Sequence, residues 1–259
     1  MPPTRTALAL GGGGMFGAYQ AGVWKALEPF FRPDIVVGAS IGSLNGRAIA
    51  GGCPADEWIA QWLELGAAGQ LRLHWPRAPF DGLFDVTPLE GFARSLMLRF
   101  PPRVRYGVAL TSVWPLRLSF TWDADVTWRH ICASCGVPVM LRQYRLDGRW
   151  YADGGLLDAV PVQGAVEAGA TRIVAVNILP GSVPRLVQLG RAALHAVARY
   201  RRPPLPPGVQ VIDIKPTPQL GRWREAIVWR RDRATAWIER GRKDAEALRP
   251  VIESFLITN

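Results

Sequence analysis

Three short stretches carry residue types whose spacing fits acyl or anion chemistry. The first is VVGASIGSLNGRAIAGG, Val36 to Gly52, where Ser40 stands between Gly38 and Gly42 at a strand-to-helix junction. G-x-S-x-G spacing suits a nucleophile elbow, a sharp turn that lifts a serine hydroxyl out of the backbone. Small flanking residues permit the strained conformation and close packing of helix on strand. A plain β–α turn has the same composition, so this stretch alone does not decide.

The second stretch is ALALGGGGMFGAYQAG, a strand, a glycine loop and a helix start. Backbone N–H groups at such a helix N-terminus can bind an anion. Gly12, Gly14 and Gly17 satisfy the dinucleotide pattern G-x-G-x-x-G, which needs an acid at the end of the second strand to hold a ribose. That strand ends in Gly38-Ala39-Ser40, and Asp34 lies at its other end. The nucleotide reading thus lacks its confirming residue. The alternative is an oxyanion hole, with the loop amides aimed at charge developing on a carbonyl oxygen beside the elbow serine.

The third stretch is GRWYADGGLLDAVPV, where Asp153 sits at a strand end before two glycines. A carboxylate there can accept the proton of Ser40; a turn or capping aspartate has the same local signature. The order Ser40, Asp153, His195 formally allows a triad. His195, however, falls inside a helical run, as does His130, and His74 lies in a loop excursion, so each reads as structural.

The elements that must position these groups follow from periodicity. Strands are expected at Thr6–Leu10, Asp34–Ala39, Arg105–Ser112, Arg117–Trp122, Arg149–Ala152, Arg172–Ile178 and Val209–Ile214. Helices are expected at Phe16–Phe30, Ile41–Ala50, about Ala55–Leu65, from Thr87, through Ser134, at Val162–Ala168 and Pro184–Arg201, and from about Glu225 to Leu248, with Pro250 as an end or kink. Their alternation predicts an α/β fold with a parallel-dominated sheet and helices on both faces. Residues 66–86 mix Gly, Pro and Trp and read as an excursion or lid.

At 259 residues the chain fits one α/β domain. No apolar run approaches bilayer-spanning length, and the N-terminus lacks a signal-peptide pattern, so a cytoplasmic location is the default expectation. The net charge is +10, with three lysines among 31 basic residues. This favours anionic partners, and the 11 tryptophans fit a membrane interface. No zinc-finger, RNP or helix-turn-helix pattern accompanies the charge, so nucleic acid is not an expected partner. The segments Pro184–Arg201 and RWREAIVWRRDRATAWIERGRK have the look of interfacial helices, but helices packing an apolar stripe on a sheet look the same. Cys132-Ala133-Ser134-Cys135 spells C-x-x-C without the further ligands a zinc site needs, and reads as two buried thiols. The sequence carries no signal for oligomeric state.

Four blocks together resemble the patatin-like phospholipase family: GGGGMFGAYQAG, GASIG, ASCGVPVMLRQY (Ala133 to Tyr144) and YADGGLLDAVPV (Tyr151 to Val162). The resemblance, which covers roughly residues 6–180, implies a three-layer α/β/α fold with a mostly parallel central sheet; residues 1–259 are expected to form one such domain, with 183–259 as its C-terminal helical and strand extension. It implies a Ser–Asp dyad that hydrolyses lipid acyl esters, with Ser40 as nucleophile, Asp153 as base and Gly12, Gly13 and Gly14 as the oxyanion loop. The partner is then a lipid substrate, with peripheral contact to an anionic membrane surface, and no cofactor or metal is required. One departure stands out: Phe16 occupies the loop position that is usually basic, so a cation beside the oxyanion loop is lost. A non-catalytic lipid-binding member is the alternative this departure raises. Asp158-Ala159 also replaces an Asn-rich pair often found before the proline.

Overall fold

The computed structural model describes residues 4–65, 72–179 and 185–257. Among them, eight strands form one sheet: β1 (Thr6–Leu10), β2 (Ile35–Ala39), β3 (Arg105–Ser112), β4 (Arg117–Trp122), β5 (Tyr144–Leu146), β6 (Arg149–Asp153), β7 (Arg172–Val176) and β8 (Gln210–Ile214). The parallel centre runs β3-β2-β1-β7-β8, and β4, β5 and β6 join antiparallel at the β3 end.

Period-two alternation divides the sheet into two faces. Leu8, Leu10, Val36, Val108, Leu110, Val174 and Val176 face the larger core. That core takes in α1 (Gly17–Leu27), α2 (Ile41–Ala50), α3 (Ala55–Leu63), α4 (Thr87–Arg99), α5 (Trp128–Ser134) and α8 (Arg231–Ile257). Ala7, Ala9, Ile35, Val37, Ile173 and Ala175 face a thinner layer built on α6 (Val162–Glu167). The small alanines on this side let a short helix lie close to the strands. The expected mostly parallel sheet with helices on both faces is observed, with the layers unequal in depth.

The pairing of β3 brings two distant strand ends together. β4 runs along one edge of β3 from Gly107 to Ser112. The opposite edge is shared: β2 pairs with Arg105–Ala109 and β6 takes over at Leu110–Ser112. Ala39 therefore pairs with Ala109, and Asp153 with the next residue, Leu110.

Several boundaries differ from those the periodicity predicts. In place of a terminal helix from Glu225 to Leu248, Trp223–Ala226 is a 3-10 turn and α8 runs from Arg231 through Pro250 to Ile257. Proline removes one helical hydrogen bond, but Ile252 beyond it is fully buried, and that packing keeps the chain helical. The strand β5 has no counterpart among the expected elements; it pairs with β6 through a turn at Asp147 (φ 47°) and Gly148 (φ 80°). The lid expected at 66–86 lies partly outside the described residues, at 66–71; residues 72–86 form a short ribbon bridged between Leu73 and Phe84. Of the two candidate interfacial segments, α8 is a core helix that buries Trp237 and Ile238. A Cβ on Gly22 would lie 1.9 Å from the Ile238 carbonyl oxygen and one on Gly241 2.1 Å from that of Tyr19, so α1 and α8 touch backbone to backbone. The other, α7 (Arg185–Ala198), keeps Leu189 and Val197 exposed. No helix among the described residues is long and apolar enough to cross a membrane.

Candidate active site

Ser40 lies where β2 passes into α2, with φ 53° and ψ −130°. That left-handed value is costly for a residue with a Cβ and marks a strained turn of the elbow kind. The flanking glycines make room for it. A Cβ on Gly38 would fall 2.1 Å from the Gly42 carbonyl oxygen, and one on Gly42 2.2 Å from that of Leu10. The turn is tied down on both sides. The Ser40 amide donates to Ser134 Oγ (2.9 Å), which itself donates to the Ala109 carbonyl (2.8 Å). The Ser40 carbonyl accepts from Ser43 Oγ (2.6 Å), and the Tyr106 hydroxyl holds the Ser43 carbonyl (2.6 Å).

Asp153 is the last residue of β6 and only 5% exposed. Because β2 and β6 meet consecutive residues on one edge of β3, the end of each strand delivers its side chain to the same place. One Asp153 oxygen accepts the Gly155 N–H at 2.7 Å. Burial pushes the carboxyl up to about 6, against the lowering effect of the Ser40 hydroxyl and the Gly155 amide. Beside the pair, the buried Cys135 thiol is raised well above its ordinary value, first by burial and then by the Asp153 charge. It is a neutral neighbour within reach of the Ser40 and Ser43 hydroxyls.

The glycine loop enters from β1. Gly11 N–H donates to the Val176 carbonyl (3.0 Å) and Gly12 N–H to the Ala159 carbonyl (3.0 Å). This corrects the expectation that Gly12, Gly13 and Gly14 all offer amides, because that of Gly12 is already engaged. Its glycine character serves proximity: a Cβ there would meet Ser40 Cβ at 3.0 Å. For the amides of Gly13 and Gly14 no acceptor is present among the described residues. Ile41 opens α2, whose first amides have no intrahelical acceptor.

Beneath the loop lies a buried polar network that sequence reasoning misses. Gln20 Nε2 donates to the Gly11 carbonyl (2.8 Å), while Asn45 Nδ2 donates to the Gly17 carbonyl (2.9 Å) and to Gln20 Oε1 (2.6 Å). The Trp58 and Trp62 indoles both donate to Asn45 Oδ1, at 2.8 and 3.0 Å. Every Asn45 side-chain donor and acceptor is thus used, which fixes the loop from below. A polar residue inside the elbow helix is the one local signal for it.

Phe16 does not face the site. Its side chain is fully buried and meets Trp237 edge-on, with ring centroids 4.9 Å apart. The neighbouring Met15 faces the cavity instead. The substituted loop position therefore points into the α8 packing, and Met15 takes its place at the cavity wall. The histidines are placed elsewhere too: His195 Nε2 lies 3.2 Å from the Leu156 carbonyl, and His130 closes a capping box with Thr127. His74 sits on the outer ribbon, where its amide donates to the Leu83 carbonyl. Asp158 is buried and paired with Arg202 at 2.8 Å.

Ser40, Asp153 and the three glycines line one cavity of about 760 Å³. The rest of its wall is largely apolar: Leu44, Trp58 and Trp62 from the helices, Val86, Leu89 and Phe92 around α4, and Val137, Met140 and Leu141 after α5. Gln188 and Leu194 of α7 and Trp223 complete it. A hydroxyl, a partly basic carboxylate and free amides at one end of an apolar cavity can attack, deprotonate and stabilise an acyl ester bearing a hydrocarbon chain.

Against known proteins, the description "Patatin-like phospholipase" matches residues 8–166, and the chain belongs to this family. Among curated relatives it is 31% identical over 183 residues to Lysophospholipase NTE1 of Scheffersomyces stipitis, covering 66% of this chain and 11% of that protein. An uncharacterized NTE family protein of Mycobacterium tuberculosis is 29% identical over 185 residues, 67% of this chain and 49% of that one. The chain spans about an eighth of the fungal lysophospholipases it matches and about half of the mycobacterial proteins. Among solved structures, VipD from Legionella pneumophila aligns over 96% of this chain and 67% of its own, with TM-score 0.53 and 13% identity, a likeness of fold.

Proposed function

We propose that the protein is a serine lipid acyl hydrolase of the phospholipase A or carboxylesterase type, in which Ser40 is the nucleophile and Asp153 its base. One observation carries this reading: a serine in a strained elbow and a buried carboxyl raised to about 6 share one apolar cavity. Above that value Asp153 is ionised and basic enough to draw the Ser40 proton as the hydroxyl attacks the ester carbonyl. The tetrahedral oxyanion is held by the amides of Gly13 and Gly14, with Ile41 as a third donor. Collapse expels the alcohol, protonated through Asp153, and leaves an acyl-serine. A water deprotonated by Asp153 then attacks the acyl carbon and releases the fatty acid. The whole chain contributes one domain to this task, and the lysophospholipase names of its fungal relatives make phospholipids with one or two acyl chains the substrate class to try first.

The non-catalytic alternative rests on Phe16, whose ring packs on Trp237; the presence of both Ser40 and Asp153 at the cavity favours the hydrolase. The decisive experiment is labelling of purified protein with a fluorophosphonate probe, which reports serine activation without the right lipid. Wild type is expected to label, while Ser40→Ala and Asp153→Asn are not. Folded wild type that stays unlabelled ends the dyad assignment.

A further inference from the structure

Large apolar side chains cluster beside the cavity wall, where nothing in the proposed chemistry uses them. Leu73, Trp75 and Val139 are 76%, 89% and 70% exposed, and Leu83 is exposed as well. Backbone pairing makes them neighbours. Leu73 bridges Phe84, the His74 amide donates to the Leu83 carbonyl at 3.0 Å, and the Leu83 amide donates to the Val139 carbonyl at 2.9 Å. The chain around 139 also walls the cavity through Val137, Met140 and Leu141. Contiguous exposed apolar surface at the rim of a site marks an interaction surface.

The display is built rather than accidental. Phe80 turns inward to stack on Trp150, with centroids 4.4 Å apart. The buried Asp81 accepts from Arg142 Nε (2.8 Å) and from the Arg77 amide (3.0 Å). The ribbon is thereby anchored while its outer residues face solvent. Val139 holds φ 69°, a rare conformation for a β-branched residue that persists only where surrounding structure imposes it.

The charge around the strip selects its partner. Arg72 and Arg77 are exposed on the same ribbon. Its acids are engaged: Asp81 by Arg142, and Asp85 by the Thr87 hydroxyl (2.7 Å) and amide (2.9 Å). Exposed tryptophan and leucine beside arginine, on a protein of net charge +10, match an anionic bilayer surface.

We propose that Leu73, Trp75, Leu83 and Val139 form the surface that docks the protein on an anionic phospholipid bilayer, with the cavity mouth toward the lipid. This deepens the acyl-hydrolase reading and rests on it for the purpose of docking, though not for docking itself. The test therefore reads binding without turnover. Full-length Ser40→Ala is sedimented with vesicles of phosphatidylcholine alone or with one quarter phosphatidylglycerol, at low and high salt. Binding is expected to the anionic vesicles and to weaken with salt. Adding Leu73→Asp and Trp75→Ala should lower partitioning by at least about tenfold. Val139→Asn serves as a second probe, because asparagine suits the left-handed backbone: it should raise the melting temperature while weakening vesicle binding, a pair of signs that misfolding cannot produce. With Ser40 intact, all these variants should hydrolyse a soluble short-chain p-nitrophenyl ester like wild type. Undiminished vesicle binding by the Leu73/Trp75 variant, or no binding by the parent to either vesicle, overturns the proposal. A protein that binds vesicles but never turns over the soluble ester would instead sink the hydrolase reading and leave docking intact.

Discussion

The reacting end of the cavity, here its floor, and the outer segments that wall it are made differently. At the floor, Ser40, Asp153 and the glycine loop sit where backbones touch: α2 on β2 through Gly38 and Gly42, and α1 on α8 through Gly22 and Gly241. The polar side chains that support them, from Ser134 to Asn45, have partners within 3.0 Å, while the Gly13 and Gly14 amides have no acceptor among the described residues and stay free for a ligand. In the outer segments, the 72–86 ribbon, the 137–141 segment and α7 contribute wall residues but leave Trp75, Val139, Leu189 and Val197 largely in solvent. The contrast teaches that the groups proposed to move protons are placed where little can shift, whereas the surfaces that would meet lipid are placed where shape is free. Misplacing a reacting atom by an ångström is costly in rate, while hydrocarbon recognition is non-directional.

Substitutions at the floor should break this contrast most severely. Ser40→Ala is expected to lower kcat for any ester by at least about 10⁴-fold with an unchanged melting temperature, measured by hydrolysis and thermal unfolding. Gly38→Ala forces a Cβ against the Gly42 carbonyl, and Gly241→Ala one against that of Tyr19. Each should cost roughly 1–3 kcal/mol or more in denaturant unfolding. Only the first also displaces Ser40, so the two should differ in labelling at equal foldedness.

The Asp153 carboxyl sharpens the comparison through pH. Its value near 6 predicts that kcat/KM falls about tenfold per pH unit below 6, as the base becomes protonated. The same shift has a cost in stability. The unfolded carboxyl loses its proton near 3.8 and the folded one near 6, so stability declines as pH rises between them and stays lower above. Asp153→Asn removes the charge: it should be more stable than wild type by about 1–3 kcal/mol at pH 8, with the difference gone at pH 3. Comparison of urea midpoints at the two pH values checks this.

Smaller effects come from the supports and the walls. Ser134→Ala leaves the Ser40 amide without its acceptor and should cost about 1–2 kcal/mol in stability, with activity reduced by roughly tenfold. Lengthening a straight acyl chain should raise kcat/KM by about fourfold per methylene, corresponding to ~0.8 kcal/mol, until the cavity is filled. Chain length read by the apolar wall and proton transfer read at the floor should then respond to different mutations.

What the sequence makes legible is local. Ser40 between two glycines, the run Gly11–Gly14 and Asp153 at a strand end each announce themselves through backbone chemistry within a few residues. Features that depend on distant pairing stay hidden. Nothing near Gly12 tells that Ala159 will take its amide, and nothing near Phe16 tells that Trp237 will draw its ring away from the cavity. Pro250 reads as a helix end or kink because local rules disfavour proline in a helix, while the burial of Ile252 is a tertiary effect. The hairpin of β5 is the exception, since Asp147-Gly148 is a strong turn signal and only the brevity of the strand conceals it.

The shared edge of β3 has a consequence for how this protein can be altered. The spacing between Ser40 and Asp153 is inherited from a hydrogen-bonded ladder, in which their two strands occupy consecutive rungs at Ala109 and Leu110. Loops elsewhere can lengthen, or the exposed Asp147-Gly148 turn can be nicked, without changing that gauge. A single residue inserted into β3 between those rungs would reset it.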